Sequence, residues 1–345
     1  AATQGRALWV LDDLDPLRQV DAAILGEPVH LFAPSPAVRV RPNNNRDTPL
    51  PVEEPAGRNP PPGASVDYWL GAPAKGPVAI EIRDSAGNLA ARLTSETPPA
   101  PPAERYFSKS WVKPQEPLSR MAGLHRAVWN LRYPRPPAVE YAYSISTAAG
   151  TDTPIAPEGP LALPGDYRVT LTVDGRSRAA VIHLSQDPRS KASPEALAAS
   201  LALSRRIAAA LAITRRGYGE ELAAGDQLAA VHVTQDKALA TRVDALIARL
   251  TIPQSGRGFI VASRTLTGIE TDLEGADLAP TEPQVRTVAR TAREVDALFA
   301  QWSALRDGAL ARLDADLARA GLRPVVIPPE DRLAIRPPAG GEDLP

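Results

Sequence analysis

Histidine is the side chain best suited to move protons near neutral pH, and the sequence contains four of them. They stand apart at His30, His125, His183 and His232, and no two have the spacing of metal ligands. The carboxylates add no cluster with the pattern of a zinc or calcium site. Because an isolated histidine needs a partner for acid–base catalysis, we interpret the four as structural residues and expect no metal.

Carboxylates are densest at Asp12, Asp13 and Asp15, immediately before Pro16. A glycosidase of the two-carboxylate type needs acids on opposite sides of a cleft. Neighbouring acids on one turn do not provide that arrangement. The pattern is instead typical of turn and helix-cap residues, and we interpret it so.

Nucleophile and phosphate-binding motifs are missing. The chain has no cysteine, which excludes disulfides, thiolate metal sites and cysteine nucleophiles. Ser255-Gly256-Arg257-Gly258 comes nearest to a phosphate loop but lacks its spacing and its lysine. No G-x-S-x-G nucleophile elbow occurs. We therefore predict no catalytic residue and no cofactor.

The charge balance argues against a nucleic-acid partner. The net charge is −1, and acidic residues offset the basic groups overall, which favours solvated faces over a phosphate-binding patch. No apolar run approaches the ~20 residues of a transmembrane helix. The N-terminal sequence lacks the basic start and apolar core of a signal peptide and begins almost inside a strand, which suggests a fragment or a processed chain. The basic groups are Arg205, Arg206, Arg215, Arg216, Arg120, Arg126, Arg132 and Arg135.

Four aromatic residues are candidate contacts for a partner or ligand: Trp9, Trp111, Tyr141 and Tyr143. Trp9 lies in the first strand expected in the chain, at residues 7–11. The other three lie in long loops, where an aromatic ring stacks on a sugar or anchors a partner. Burial against the neighbouring sheet is the alternative.

A β-hairpin over residues 165–184 is the clearest element. Apolar and polar residues alternate between Tyr167 and Val173, which is the period of a half-buried strand. Asp174-Gly175 suits a two-residue turn, and that turn places Val169 opposite Ala180. Because a single hairpin is marginally stable, further strands must complete a sheet. About six short strands between residues 64 and 184, joined by Gly, Pro and Asp turns, predict an immunoglobulin-like antiparallel β-sandwich with two long insertions.

Helical periodicity replaces strand periodicity after Pro188. Ser193 and Pro194 have the types of an N-cap and a first helical residue, and Thr281 with Gln284 predicts a capping box. Gly321 has the character of a C-cap. These amphipathic stretches predict an antiparallel helical bundle. A shorter helix is expected over 259–273. The apolar stripes of the other helices comprise Leu197, Leu201, Ile207 and Leu211, then Leu239, Val243, Leu246, Ile247 and Leu250, then Val285, Val288, Val295, Leu298, Phe299, Trp302, Leu305, Leu310, Leu313 and Leu317.

These interpretations divide the chain into successive segments. The predicted segments are a propeller-exit strand and extended stretch at 1–41, a Pro/Asn-rich linker at 42–63, the sandwich at 64–189, the bundle at 190–321 and an extended Pro-rich tail at 322–345.

The order of these pieces resembles the C-terminal region of exported bacterial proteins with sortilin-type or glycosidase-like β-propellers. The resemblance spans about residues 5–320. It implies that residues 7–11 are a blade strand left without its propeller, because no Asp-box repeat occurs in this sequence. It also implies an extracytoplasmic location, periplasmic or secreted. The stretches that carry it are GRALWVLDDLDPLRQV, HLFAPSPAVRVR, VAIEIRDSAGNLAARL, GLHRAVWNLRYP, PLALPGDYRVTLTVDG and QDPR.

The expected function is that of a non-catalytic accessory or scaffold region that docks on a β-propeller, in the same polypeptide or a separate one, and mediates protein interaction. Two alternatives stay open. The chain could form part of a carbohydrate-active, sialidase-like hydrolase, with residues 43–62 and 108–117 as one wall of a cleft. It could instead bind carbohydrate through Trp111, Tyr141 and Tyr143.

Overall fold

The chain divides into two compact units in a computed structural model. The structure describes residues 13–41, 62–96, 117–143, 155–231, 236–250 and 258–336. The first unit comprises Ala1–Pro134, Tyr143–Ile155 and Gly159–Pro194, and the second comprises Arg135–Ala142, Ala156–Glu158 and Glu195–Pro345. The strand expected at residues 7–11 lies outside the described residues, as do residues 42–61 of the predicted linker.

Strands dominate the first unit, preceded by two short helices. The helices are α1 (Asp15–Gln19) and α2 (Ala22–Gly26). The strands are β1 (Val29–Leu31), β2 (Ala37–Arg39), β3 (Ala64–Leu70), β4 (Val78–Arg83), β5 (Leu89–Thr94), β6 (Gly123–Trp129), β7 (Ala142–Tyr143), β8 (Ile155–Ala156), β9 (Gly165–Val173) and β10 (Arg176–Gln186), of which β7 and β8 lie where the chain passes between units.

The hairpin prediction is confirmed down to its register. Val169 lies opposite Ala180 in the antiparallel pair β9–β10. Asp174 and Gly175 have φ values of 48° and 76°, the left-handed conformation that a two-residue turn needs to match strand twist. Val169 and Leu171 are fully buried, so the apolar alternation does face the core.

The predicted immunoglobulin-like sandwich is wrong. The described strands form a three-stranded antiparallel sheet, β1-β3-β6, and a five-stranded sheet, β2-β10-β9-β4-β5, that curls into a half-barrel. Its edge strand β2 runs parallel to β10, which no all-antiparallel sandwich allows. A register shift at Ile82/Arg83 interrupts the β4–β5 pair, and such irregularities bend a strand and increase its twist.

The second unit is built from helices of very unequal length. They are α3 (Pro194–Ala229), α4 (Lys237–Ile247), α5 (Phe259–Gly275), α6 (Glu282–Ala304) and α7 (Ala311–Arg319), with a π-helical segment (Leu305–Leu310) joining α6 to α7. The predicted capping box is confirmed, since the Thr281 side chain accepts from Gln284 N and the Gln284 side chain accepts from Thr281 N.

The predicted antiparallel helical bundle is also wrong. The described helices do not form a clear bundle, and α3 continues for 36 residues, well past Leu211, the last residue of its predicted apolar stripe. Residues 217–221 of α3 are all buried, so this part of the helix is enclosed on every side. A bundle helix instead exposes one face.

By length and composition α3 is also apolar enough to cross a membrane, with a mean hydropathy of 1.6 over its most apolar window. Core helices pass the same test, and Leu201, Ile207 and Leu211 of α3 are buried in the unit. This feature is therefore weak evidence for a membrane span.

Candidate functional site

Only one of the four candidate aromatic contacts has a described side chain. Trp9 and Trp111 lie outside the described residues, as does the side chain of Tyr143. The half-buried Tyr141 donates its hydroxyl hydrogen to Pro136 O (2.8 Å) and accepts from Ala138 N (3.0 Å). These bonds give Tyr141 a role in holding its own loop.

The acidic residues at the start of α1 join two segments of the first unit. The Ser35 hydroxyl lies 2.6 Å from Asp13 Oδ1 and 2.7 Å from Asp15 Oδ2. Nearby, the Gln19 amide accepts from Ala33 N and donates to Ala33 O. The contacts fasten α1 to the stretch between β1 and β2, whereas the N-cap residue of α1, Leu14, makes no side-chain cap hydrogen bond.

A second carboxylate of this unit, Asp67, is buried on β3. It lies opposite Arg126 of β6, whose guanidinium donates to both of its oxygens at 2.8 and 3.2 Å. Burial raises the pKa of Asp67, hydrogen bonding and charge from Arg126 oppose the rise, and the Asp13 charge adds to it. With only 5% exposure, Asp67 cannot reach a substrate in solution, so the pair acts as a brace between the two strands.

A buried polar centre with several charged partners lies in the second unit at Glu220. Arg216 Nε donates to its Oε1 at 2.8 Å, while Trp302 Nε1 (2.7 Å) and Arg306 Nη1 (2.8 Å) donate to its Oε2. Arg306 belongs to the π-helical segment. The Arg216 guanidinium also lies 5.2 Å from the centre of the Phe299 ring.

The electrostatics keep Glu220 ionised. Burial is the largest single effect and opposes ionisation, but the three hydrogen bonds and the charge of Arg216 outweigh it and lower its pKa. A carboxylate with both oxygens filled by donors is a poor general base. Glu220 therefore serves to connect α3, α6 and the π-helical segment. Insertions of π-helix often mark functional positions, and here the insertion presents Arg306 to the core.

Each described histidine has a hydrogen-bond partner. His30 Nδ1 lies 3.2 Å from Glu27 Oε1, His183 Nδ1 lies 2.7 Å from Asp166 Oδ1, and His125 Nε2 lies 2.6 Å from a backbone oxygen. Among the described residues, no group of three or more His, Asp or Glu side chains could hold a metal. His232 lies outside them.

An apolar row crosses the outer face of the three-stranded sheet. The register places Leu124 beside Trp69 and Trp69 beside His30. Leu124 is 44% exposed, and Met121, just before β6, is 65% exposed. The Trp69 indole donates to Glu27 O at 3.2 Å, and Leu25, two residues earlier in the chain, is 50% exposed. We call Leu25, Trp69, Met121 and Leu124 the apolar row.

Sequence reasoning missed both Glu220 and the apolar row. Two signals for Glu220 were available, because Arg216 and Glu220, like Trp302 and Arg306, are four residues apart and share a helix face. The row had no such signal, since it depends on the order of strands in the sheet.

Comparisons with known proteins add nothing to this geometry. No family model, curated protein or solved structure matches the chain.

Proposed function

We propose that the chain is a non-catalytic accessory module that docks on a β-propeller through the apolar row, outside the cytoplasm. The row is the observation that carries the proposal. Large exposed apolar side chains close together in the chain, Leu124 at 44% and Met121 at 65%, are typical of a surface that a partner covers. The resemblance to sortilin-type proteins supplies the kind of partner.

The polar centres support a structural role over catalysis. Two buried carboxylates, Asp67 and Glu220, have their oxygens facing arginine donors. The hydrogen bonds that these two carboxylates make come from arginine and tryptophan, and neither of those side chains is a nucleophile. Such pairs favour a defined arrangement of strands or helices over proton transfer.

The test uses biolayer interferometry to measure binding of the chain to a recombinant sortilin-type β-propeller from an exported bacterial protein. Leu124→Glu places a charge in the row, and because burying an unpaired charge in an interface costs more than ~1.4 kcal/mol, affinity should fall at least about tenfold. Leu278→Glu is the matched control, since Leu278 is 67% exposed and belongs to the other unit. No binding by the original chain, or equal binding by both variants, contradicts the proposal.

The alternatives remain predictions, because the loops at 43–62 and 108–117 lie mostly or wholly outside the described residues, as do Trp111 and the Tyr143 side chain. Turnover of aryl glycosides that is lost on deleting those loops would favour the hydrolase. A change in tryptophan fluorescence on adding polysaccharide would favour carbohydrate binding.

A further inference from the structure

The C-terminal segment 325–336 lies along the second half of α3. Within it Val325 and Leu333 are buried, whereas Val326 is 67% exposed. The segment is extended apart from one 3-10 turn, Glu330–Arg332, and contains two consecutive prolines. It is thus an extended, proline-containing stretch with apolar residues at intervals.

Side chains of α3 bind the backbone of this segment. The Gln227 amide donates to Val326 O at 2.8 Å and accepts from Val326 N at 2.9 Å. The Tyr218 hydroxyl donates to Arg336 O at 2.6 Å, and the Arg336 guanidinium pairs with Asp226. Val326, early in the segment, contacts Gln227 late in α3, whereas Arg336, late in the segment, contacts Tyr218, which is earlier in the helix. The segment therefore runs antiparallel to α3.

A glycine in α3 makes room for the apolar residues of the segment. A Cβ on Gly219 would lie 2.9 Å from Ile335 Cδ1 and 3.1 Å from Leu333 Cβ, tighter than ordinary van der Waals contact. Glycine is unfavourable inside a helix because of its backbone freedom. Its presence at this position is explained by the close contact with the segment.

Paired hydrogen bonds to a ligand's backbone, with pockets for its side chains, are the elements of peptide recognition. We propose that the groove formed by Tyr218, Gly219, Asp226 and Gln227 is a peptide-binding site. Its ligand is an extended, proline-containing segment with aliphatic anchors followed by an arginine. Residues 325–336 occupy the groove as an exchangeable intramolecular ligand.

The first experiment uses a chain ending at Gly321 and a fluorescent peptide of residues 322–336. Circular dichroism checks that the shortened chain is folded, and fluorescence anisotropy measures binding. We expect saturable binding that Gln227→Ala weakens about tenfold, because two hydrogen bonds are lost. Gln301→Ala, an exposed glutamine on α6, should leave the affinity unchanged. No binding to the folded shortened chain, or equal affinity in both variants, overturns the proposal.

The second experiment uses the full chain and does not depend on the shortened chain being stable. Hydrogen exchange follows the amides of Val325 and Val326, which donate to Asp314 and Gln227. An exchangeable ligand should leave its groove without global unfolding, so these amides should exchange at least about tenfold faster than that of buried Val295. Equal protection at all three amides means that the segment opens only with the whole unit, and it overturns the proposal.

Discussion

Replacing Gly217 with alanine should destabilise the helical unit, although the same change inside an ordinary helix is stabilising. A Cβ on Gly217 would lie 2.3 Å from Cζ and 2.5 Å from Cε1 of Phe259. That ring is 1% exposed, so it has little space to move. Overpacking a filled core costs about 1–3 kcal/mol, and this contact belongs at the upper end. After a gain of about 1 kcal/mol from helix propensity, we expect a net loss of about 2 kcal/mol.

Gly268→Ala is the matched control in α5. Gly268 is exposed, and no atom lies within 4 Å of the position that a Cβ would take there, so this change should stabilise by about 0.5–1 kcal/mol. Urea titrations monitored by far-UV circular dichroism give the midpoint of unfolding for each variant. The midpoints are compared where the m-values, the dependence of the unfolding free energy on urea, agree. If Gly217→Ala unfolds at the same urea concentration as the original chain or at a higher one, the packing of Phe259 on α3 is wrong.

Two further predictions concern charged groups. Glu220→Gln should lower the free energy of unfolding, measured in urea, by about 2–3 kcal/mol. The loss is smaller than for a fully buried ion pair because the Arg306 side chain keeps 27% exposure. As a control, Glu294→Gln, which removes an exposed ion pair, should change the free energy of unfolding by under about 0.5 kcal/mol. Hydrogen bonds from Arg189 lower the pKa of Asp187 to about 2 from its ordinary 3.8, so its stabilising effect is present above about pH 4 and lost as the pH falls to about 2. The original chain should therefore lose more stability than Asp187→Asn over that interval, and equal losses would contradict the assignment.

The hairpin β9–β10 could be predicted in detail because its information is local. Alternation fixes the face, and the Asp174-Gly175 turn fixes the register. The capping box at Thr281 was predictable for the same reason, since both of its partners lie within one helical turn.

The sheet order could not be predicted, because β1 and β2 contain three residues each. Three residues hardly distinguish a strand from extended coil. The pairing of β2 with β10 joins Val38 to Ser185, far apart in sequence, and no local pattern encodes it. The half-barrel and the apolar row both depend on such distant pairings, so the error in fold class and the missed surface have one cause.

The course of α3 gives the opposite case, in which local preference and the final structure disagree. Residues 217–221 combine two glycines with two adjacent glutamates, a composition that weakens a helix and resists burial. Distant contacts explain three of these departures, since Gly217 faces Phe259, Gly219 faces Leu333, and Glu220 binds Trp302. Because a sequence normally agrees with its structure at every level, a local conflict of this kind marks a position fixed by distant contacts. Residues 217–221 could therefore be recognised from the sequence as unusual for a helix, although the residues that they contact could not.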